Sequence, residues 1–469
     1  MKKIFFVYPP SPVMNREGRC QQPTKNLLVI PPLPPLELMY LASVAKQVGF
    51  ECKIKDYSVN SESFEDLKKD VEDFAPDYVL FNAATPTMES DLKVASVVKE
   101  VNPNIVTVVT GAYFLVFAKE TLVSHKSLDL IIRGESEYTL KEILEGTQKS
   151  EILGLTYREN GMVISNEVRP FIENLDELPF PARDLVDNNS FIRPDNNKIQ
   201  TIIKVSRGCP YHCFFCLATP VSGAKVRVRS AKNIVEEIKE CVEKYKIKNF
   251  IFWSDVFDMD KKWVISLCDE IISSKLKIVW SANTRADLMD EELAKKMYQA
   301  GCRLVSIGVE SGSQEILEKI GKKLTLDEVR KTVSTFKKNK MKVYNYFVIG
   351  LPWENEEHIK ATIDFAIELD SDFASFYTAT ALPGSRFYDY INQNNLGSLD
   401  EAETYKSAYY YPNVPTHYLS KDRIAEFHKE AMKRFYLRPS FIAKKLFAIR
   451  SVAEFVNYTK VGLGLLLKK

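Results

Sequence analysis

Three of the chain's eight cysteines fall inside one short stretch, SRGCPYHCFFCLA (206–218): Cys209, Cys213 and Cys216, separated by three and then two residues. Thiolates at this spacing are ligands for a soft metal centre. A closed zinc site takes four ligands in a tetrahedron, usually as two C-x2-C pairs or as cysteines followed by a spaced histidine pair. No second pair follows here, and Cys20, Cys52, Cys241, Cys268 and Cys302 are scattered singly. His212 sits inside the three-residue gap, where it would compete with the thiolates for one turn. A cubane iron–sulfur cluster normally takes four thiolates. With only three from the protein one iron stays open, and a metal with an exchangeable position does chemistry. The structural alternative is three cysteines buried in a turn, but Gly208 and Pro210 mark a loop.

C-x3-C-x2-C with an aromatic residue, Phe215, just before the last cysteine resembles the signature of radical S-adenosylmethionine (AdoMet) enzymes. The resemblance implies a [4Fe-4S] cluster on Cys209, Cys213 and Cys216, with AdoMet chelated to the open iron through its amino and carboxylate groups. It also implies reductive cleavage of AdoMet to a 5'-deoxyadenosyl radical, which takes hydrogen from an unactivated carbon. An electron donor such as flavodoxin or ferredoxin would supply the reduction.

Length and composition bound the rest. A chain of 469 residues has room for about three domains. A net charge of +2, from 64 basic and 62 acidic residues, argues against a nucleic-acid binder, which would carry a strongly basic domain. The cysteines form no secreted disulfide framework. The N-terminal run MKKIFFVYPP is cut short by two prolines, too soon for a signal-peptide core, and no window reaches 18 uninterrupted apolar residues as a membrane span needs. The expectation is a cytoplasmic protein in a reducing setting.

The fold expected is α/β: an N-terminal doubly wound Rossmann-like domain, a central partial (β/α)6 barrel and a C-terminal, mostly helical segment. Over 1–145 strand patterns alternate with helical ones. Strands are read at 3–10, 51–57, 77–85, 104–112 and 128–136, and a helix at 34–50 carries Leu38, Leu41, Ala42 and Ala45 on one face before Gly49. Such a sheet binds ligands beyond the carboxyl ends of its strands, which makes Thr85, Gly111 and Tyr113 candidate cofactor-binding residues in the edge loops. No G-x-G-x-x-G follows the first strand, so a dinucleotide site has little support.

This domain followed by the three-cysteine motif resembles the cobalamin-binding-domain subgroup of radical AdoMet enzymes, which includes methyltransferases of unactivated carbons and the oxygen-independent ring-forming enzyme of bacteriochlorophyll synthesis. PPLELMYLA (34–42) and LPFPARDL (178–185) are similar to segments of that subgroup, and the resemblance implies cobalamin. Two features depart from it. D-x-H-x-x-G is missing from 1–145, and TGAYFLVFAKETL (110–122) has Ala112 where relatives have a second glycine, with no histidine following. A scaffold that binds no corrinoid therefore stays open as an alternative.

Residues 146–195 read as a linker with a small hairpin turning at Glu159, Asn160 and Gly161. The barrel is expected over 196–400, with strands at 199–206, 248–255, 277–283, 302–311, 342–350 and 372–380. Catalytic groups of β/α barrels sit at the carboxyl ends of strands, and the three cysteines follow the first. The same rule picks Ser254 and Asp255 after the second strand, in a segment that resembles the family's loop meeting the AdoMet amino group, where a carboxylate suits an ammonium, with a solvated loop acid as the alternative. Arg285 follows the third strand as a bidentate partner for a carboxylate, with a structural ion pair as the alternative. Glu310 and Ser311, in G-x-E-S-G after the fourth, are placed for the ribose hydroxyls, or Glu310 pairs structurally with Arg285 or Lys322. Gly350 after the fifth resembles a loop that forms the floor under adenine. None of these is assigned as the catalytic acid or base.

The region 401–469 is read as helical and basic, with Tyr409, Tyr410, Tyr411 and His417 in a stretch that could line a substrate mouth. Residues 421–469 hold 12 Lys/Arg against 4 Asp/Glu. A basic amphipathic helix of this kind lies on an anionic membrane, or packs on the barrel with its lysines in water. The reading is thus a radical AdoMet enzyme that methylates an unactivated carbon of a small-molecule or lipid-like substrate with cobalamin. The alternatives are a cobalamin-independent oxidoreductase, cyclase or carbon–carbon coupling enzyme, and a non-enzymatic corrinoid-binding iron–sulfur protein.

Overall fold

A computed structural model describes the chain except for residues 17, 20, 24–32, 60, 194–196, 400–410 and 449–469. Cys20, Tyr409, Tyr410 and the apolar end of the basic tail lie outside the described residues.

Among the described residues the N-terminal part forms a seven-stranded sheet, in the order Glu51–Asp56, Lys3–Tyr8, Tyr78–Asn82, Val106–Thr110, Leu130–Ile132, Leu155–Glu159 and Met162–Ser165. The first five are parallel. Numbered along the chain they run 2-1-3-4-5, the doubly wound order whose ligand crevice opens beside the first strand, where the winding reverses. Period-two alternation explains why both faces are covered. Ile4 and Phe6 pack with Leu38 and Leu41 of the helix Leu36–Gln47 on one side, while Phe5 and Val7 meet Leu67, Val71 and Leu92 on the other.

The expected hairpin is present, but it is not a free linker. Leu155–Glu159 pairs antiparallel with Leu130–Ile132 and so extends the first sheet. Its Thr156 is fully buried, with its hydroxyl bonded to Ser165.

A second sheet of six strands runs in strict sequence order: Gln200–Lys204, Asn249–Trp253, Val279–Thr284, Cys302–Glu310, Lys342–Ile349 and Phe373–Thr378. All neighbours are parallel, which with intervening helices gives the partial barrel. Outward residues such as Ile203, Phe250 and Val343 share a core with the helices Ala231–Lys244, Lys261–Ser273 and Leu326–Lys338. The last of these starts at Thr325 with the capping box to Glu328 that the sequence predicts.

The C-terminal helix Lys421–Tyr436 is amphipathic as expected, but Ile424, Phe427, Ala431 and Phe435 are fully buried in the barrel's outer core. Its apolar face is used for packing, which removes this helix from the membrane-surface reading. No helix among the described residues is long and apolar enough to cross a membrane.

Candidate active site at the three-cysteine loop

The cysteine loop hangs from the carboxyl end of the first barrel strand. It is tied down by Ser206–Arg207, which pairs with Arg227–Val228. Gly208 has φ +95°, and a Cβ there would meet the Lys225 carbonyl oxygen at 2.1 Å, so only glycine lets the chain pass. Thr219 Oγ1 donates to the carbonyls of Cys209 (3.1 Å) and Tyr211 (2.9 Å). Phe214 N–H donates to the Ile320 carbonyl at 3.0 Å, and its ring packs on Trp353 and Phe387. The loop is therefore fixed before any metal arrives.

All three thiols and Phe215 line one cavity of about 290 Å³ that runs down into the barrel. Among the described residues no three histidine, cysteine or acidic side chains converge on one point as the ligands of a single ion would. A cubane's three thiolates bind three different irons. Burial pushes the Cys209 thiol up from its ordinary value, so its ionisation calls for a cation.

Asp255, Arg285 and Glu310 line the same cavity. Asp255 Oδ2 accepts the Gly208 N–H at 2.8 Å, and its Oδ1 lies 3.2 Å from Nε of Arg19. Arg285 forms a two-pronged pair with Asp287, donates to the Lys322 carbonyl at 2.8 Å and stacks over Tyr211 with its guanidinium 3.6 Å from the ring centre. Its backbone N–H points into the Asp258 carboxylate, which burial pushes up to about 7. Glu310 has φ +70° beside a register shift at the end of the fourth strand. Its Oε1 is 2.7 Å from Lys322 Nζ, both side chains being nearly buried. A Cβ on Gly308 would fall 2.4 Å from that oxygen, so the glycine makes room for the ion pair. Both structural alternatives raised from sequence thus exist, and they leave one face of each group toward the cavity.

Three further candidates do not reach the cavity. Ser254 is fully buried and turned away, with only its carbonyl available at the loop. Ser311 is also fully buried; it shares a hydrogen bond with Thr362 and accepts from Ser313 N–H, so it braces the strand end. Gly350, at φ +88°, packs against Ile424 and donates its N–H to Glu354 Oε2 at 2.7 Å. His417 bonds the Tyr390 hydroxyl at 2.8 Å outside the cavity lining, and Tyr411 donates to Asp422.

Glu354 was not legible as special. It is fully buried, accepts from both Gly350 and Leu351 N–H, and burial pushes its carboxyl up to about 8. Because the folded state holds this proton more tightly than the unfolded chain, Glu354 costs stability as pH rises from the ordinary carboxyl range towards 8. The variant Glu354→Gln keeps an acceptor and loses the charge. Its melting temperature is expected to match the parent near pH 4 and to exceed it at pH 8, as read by thermal melts across that range.

At the first sheet's carboxyl edge a second cavity of about 100 Å³ is lined by Asn82, Thr110, Gly111, Ser136, Arg207 and Ser222, among others. Glycine is required at Gly111, where a Cβ would meet the Ala83 carbonyl at 2.2 Å. Ala112, where relatives have a second glycine, has no positive φ, so an alanine fits there without backbone strain. Thr85 and Tyr113 are buried beside this edge. Thr85 N–H donates to Gln21, and the Tyr113 ring packs on Phe114 and Phe117. Among the described residues no histidine lines either cavity, and the crevice offers a corrinoid the Thr110 and Ser136 hydroxyls and the Asn82 amide. Small-molecule sites usually occupy roughly 300–1,000 Å³, so a corrinoid at this crevice would extend beyond it.

Residues 203–366 match the family model of the radical SAM superfamily, and residues 30–144 match that of the B12 binding domain. A relative from Pyrococcus horikoshii, described as an uncharacterized methyltransferase, is 34% identical over 439 residues, covering 90% of this chain and 95% of its own. This chain belongs to the radical AdoMet superfamily, in its cobalamin-binding-domain subgroup.

The radical AdoMet enzyme is also 26% identical to the anaerobic magnesium-protoporphyrin IX monomethyl ester cyclase of Rubrivivax gelatinosus, over 87% of this chain and 75% of that one. Among solved structures, TsrM from Kitasatospora setae, a radical AdoMet methyltransferase with cobalamin and a [4Fe-4S] cluster bound, superposes with a TM-score of 0.68. The overlap covers 85% of this chain and 76% of that one at 17% identity, a likeness of fold. A [4Fe-4S] cluster, AdoMet and cobalamin are accordingly the cofactors of this enzyme's family and domains.

Several lining residues of the radical AdoMet enzyme escaped the sequence: Tyr344, Tyr377, Ser281, Asn283 and Ser306 line the cavity, where Tyr344 packs on Tyr346 with ring centres 4.6 Å apart. The signal was available: alternate residues of a barrel strand face inward. Arg19 carried no signal, since it sits in a loop without periodicity.

Proposed function

We propose that the chain is a cobalamin-dependent radical AdoMet methyltransferase acting on an unactivated carbon of a small molecule. The observation that carries this reading is that both halves of the chain meet in one cavity. Asn15, Arg19 and Leu33 from the N-terminal part line it together with Cys209, Cys213 and Cys216. In this reading residues 1–145 are the corrinoid-binding domain, 146–195 the connection, 196–400 the AdoMet barrel and 401–469 a C-terminal helical region.

When bound, the cluster and AdoMet supply a 5'-deoxyadenosyl radical, and cobalamin supplies a methyl group. The chain's own residues do the rest. Cys209, Cys213 and Cys216 hold the cluster, and Phe215 covers it. Asp255 and the carbonyls beside it accept from the AdoMet ammonium, Arg285 meets its carboxylate and Glu310 accepts from the ribose. Ser254, Ser311 and Gly350 act through the backbone of their loops, while Thr85, Gly111 and Tyr113 shape the corrinoid edge. Tyrosines lining the cavity together with serines and an asparagine favour a substrate with a flat ring and hydrogen-bonding edges over an aliphatic lipid tail. A flavodoxin- or ferredoxin-like donor would deliver electrons, and the enzyme would work in the cytoplasm.

Corrinoid retention separates methyl transfer from cobalamin-independent cyclisation or oxidation. After anaerobic reconstitution, incubation with hydroxocobalamin and desalting, the visible spectrum should show near-stoichiometric corrinoid bands above the cluster absorption. Cluster bands alone would overturn the methyltransferase reading.

A further inference from the structure

The acceptors suited to the AdoMet ammonium are held by a cation from the other half of the protein. Arg19, in the loop between the strand Lys3–Tyr8 and the helix Leu36–Gln47, crosses to the barrel. Its guanidinium donates to the Ser254 carbonyl and, at 3.4 Å, to the Asp255 carbonyl. It pairs with Asp255 Oδ1 at 3.2 Å and lies over the Trp253 ring at 5.7 Å. The side chains of both partners are largely buried, Arg19 at 14% and Asp255 at 3% exposure. Arg19 lines the cavity that holds the three thiols.

We infer that Arg19 is a positioning residue that competes with the α-ammonium of AdoMet for Asp255 and the adjacent carbonyls. Asp255 Oδ2 is already taken by the Gly208 N–H, and Oδ1 and the two carbonyls by Arg19, so the ammonium and the guanidinium contend for the same acceptor atoms and AdoMet binding loosens Arg19 from the barrel loop. The loop that carries Arg19 also carries Arg16, whose guanidinium is fully buried on Asp91 at 2.6 Å and donates to the Asn82 carbonyl. Arg16 and Asn82 line the crevice at the first sheet's edge. Arg16 thus anchors to the corrinoid-side sheet the same loop whose Arg19 reaches the barrel. The inference rests on the proposed AdoMet site and adds its regulation.

The test uses the full-length, cluster-loaded protein and isothermal titration with two probes: AdoMet, and an AdoMet analogue in which hydrogen replaces the α-amino group. For Arg19→Ala the inference expects AdoMet to bind about tenfold tighter, the worth of one charge-assisted hydrogen bond, with the deaminated analogue unchanged. Arg19→Lys, which keeps the charge, should restore parental AdoMet affinity. Weaker AdoMet binding in Arg19→Ala, or equal shifts for both probes, would overturn the competition. Should Arg19→Ala fail to fold, Arg19→Gln, which removes the charge and keeps the bulk, serves in its place: AdoMet is expected to bind tighter with the analogue unchanged, and weaker AdoMet binding or equal shifts for both probes overturns the inference. If the parent protein binds neither probe, the AdoMet-site reading itself fails, which is a different result from an Arg19 effect of the wrong sign.

Discussion

Replacing Cys213 by alanine is expected to abolish cluster absorption and AdoMet cleavage together while leaving the fold intact. The loop's shape does not depend on that thiol. It is held by the Thr219 hydroxyl, the Phe214 ring in its aromatic cage and Gly208 under the Lys225 carbonyl. A cubane with two protein ligands instead of three loses both a bond and the geometry of its open iron. Iron content, the visible spectrum and far-ultraviolet circular dichroism on the same preparation separate loss of the cluster from unfolding. A variant that keeps a full cluster would show that Cys213 is not a ligand.

A second large effect is expected far from the cofactors. Glu237, on the helix Ala231–Lys244, is fully buried between Arg183 of the connecting segment and Arg229. Arg183 also donates to the Ile202 carbonyl on the first barrel strand at 2.8 Å. The two arginines hold the Glu237 carboxyl below its ordinary value despite its burial. Truncation to Glu237→Ala leaves two buried guanidinium groups without their counter-ion, at a cost of about 3–5 kcal/mol. Chemical denaturation should show a loss of that order, and a loss below about 1 kcal/mol would mean that water reaches the site. Glu237→Gln should recover part of it, because the amide oxygen still accepts from one guanidinium. The conformation of the strand that carries the cysteine loop thus depends on an ion triad behind it.

Much of this architecture was legible in the sequence because it is periodic. Each barrel strand was read within a few residues of its observed bounds, since apolar runs alternating with capped helices leave few other arrangements. Cys209, Cys213 and Cys216 were read from their spacing, and Asp255, Arg285 and Glu310 from the rule that groups at the carboxyl ends of barrel strands face the site; all six line the cavity. The same rule also picked Ser254, Ser311 and Gly350, which do not line that cavity. Proximity to a strand end says nothing of which way a side chain turns, and a buried bond to Thr362 or a contact with Ile424 decides that. Contacts between distant segments were not legible. The pairing of the hairpin onto the first sheet, Arg183 on Glu237 and Arg19 on Asp255 each join positions tens to hundreds of residues apart, with no local pattern to announce them. The basic helix at the C-terminus was ambiguous for a related reason. Amphipathicity states that a face must be covered, and only the position of Phe427 and Phe435 in the barrel core states by what.

The most direct measurement is the fate of AdoMet on the anaerobically reconstituted, dithionite-reduced protein. The account predicts 5'-deoxyadenosine and methionine in equal amounts, formed by the parent protein and absent from Cys213→Ala. Intact AdoMet on parent protein carrying a complete, reduced cluster would contradict it.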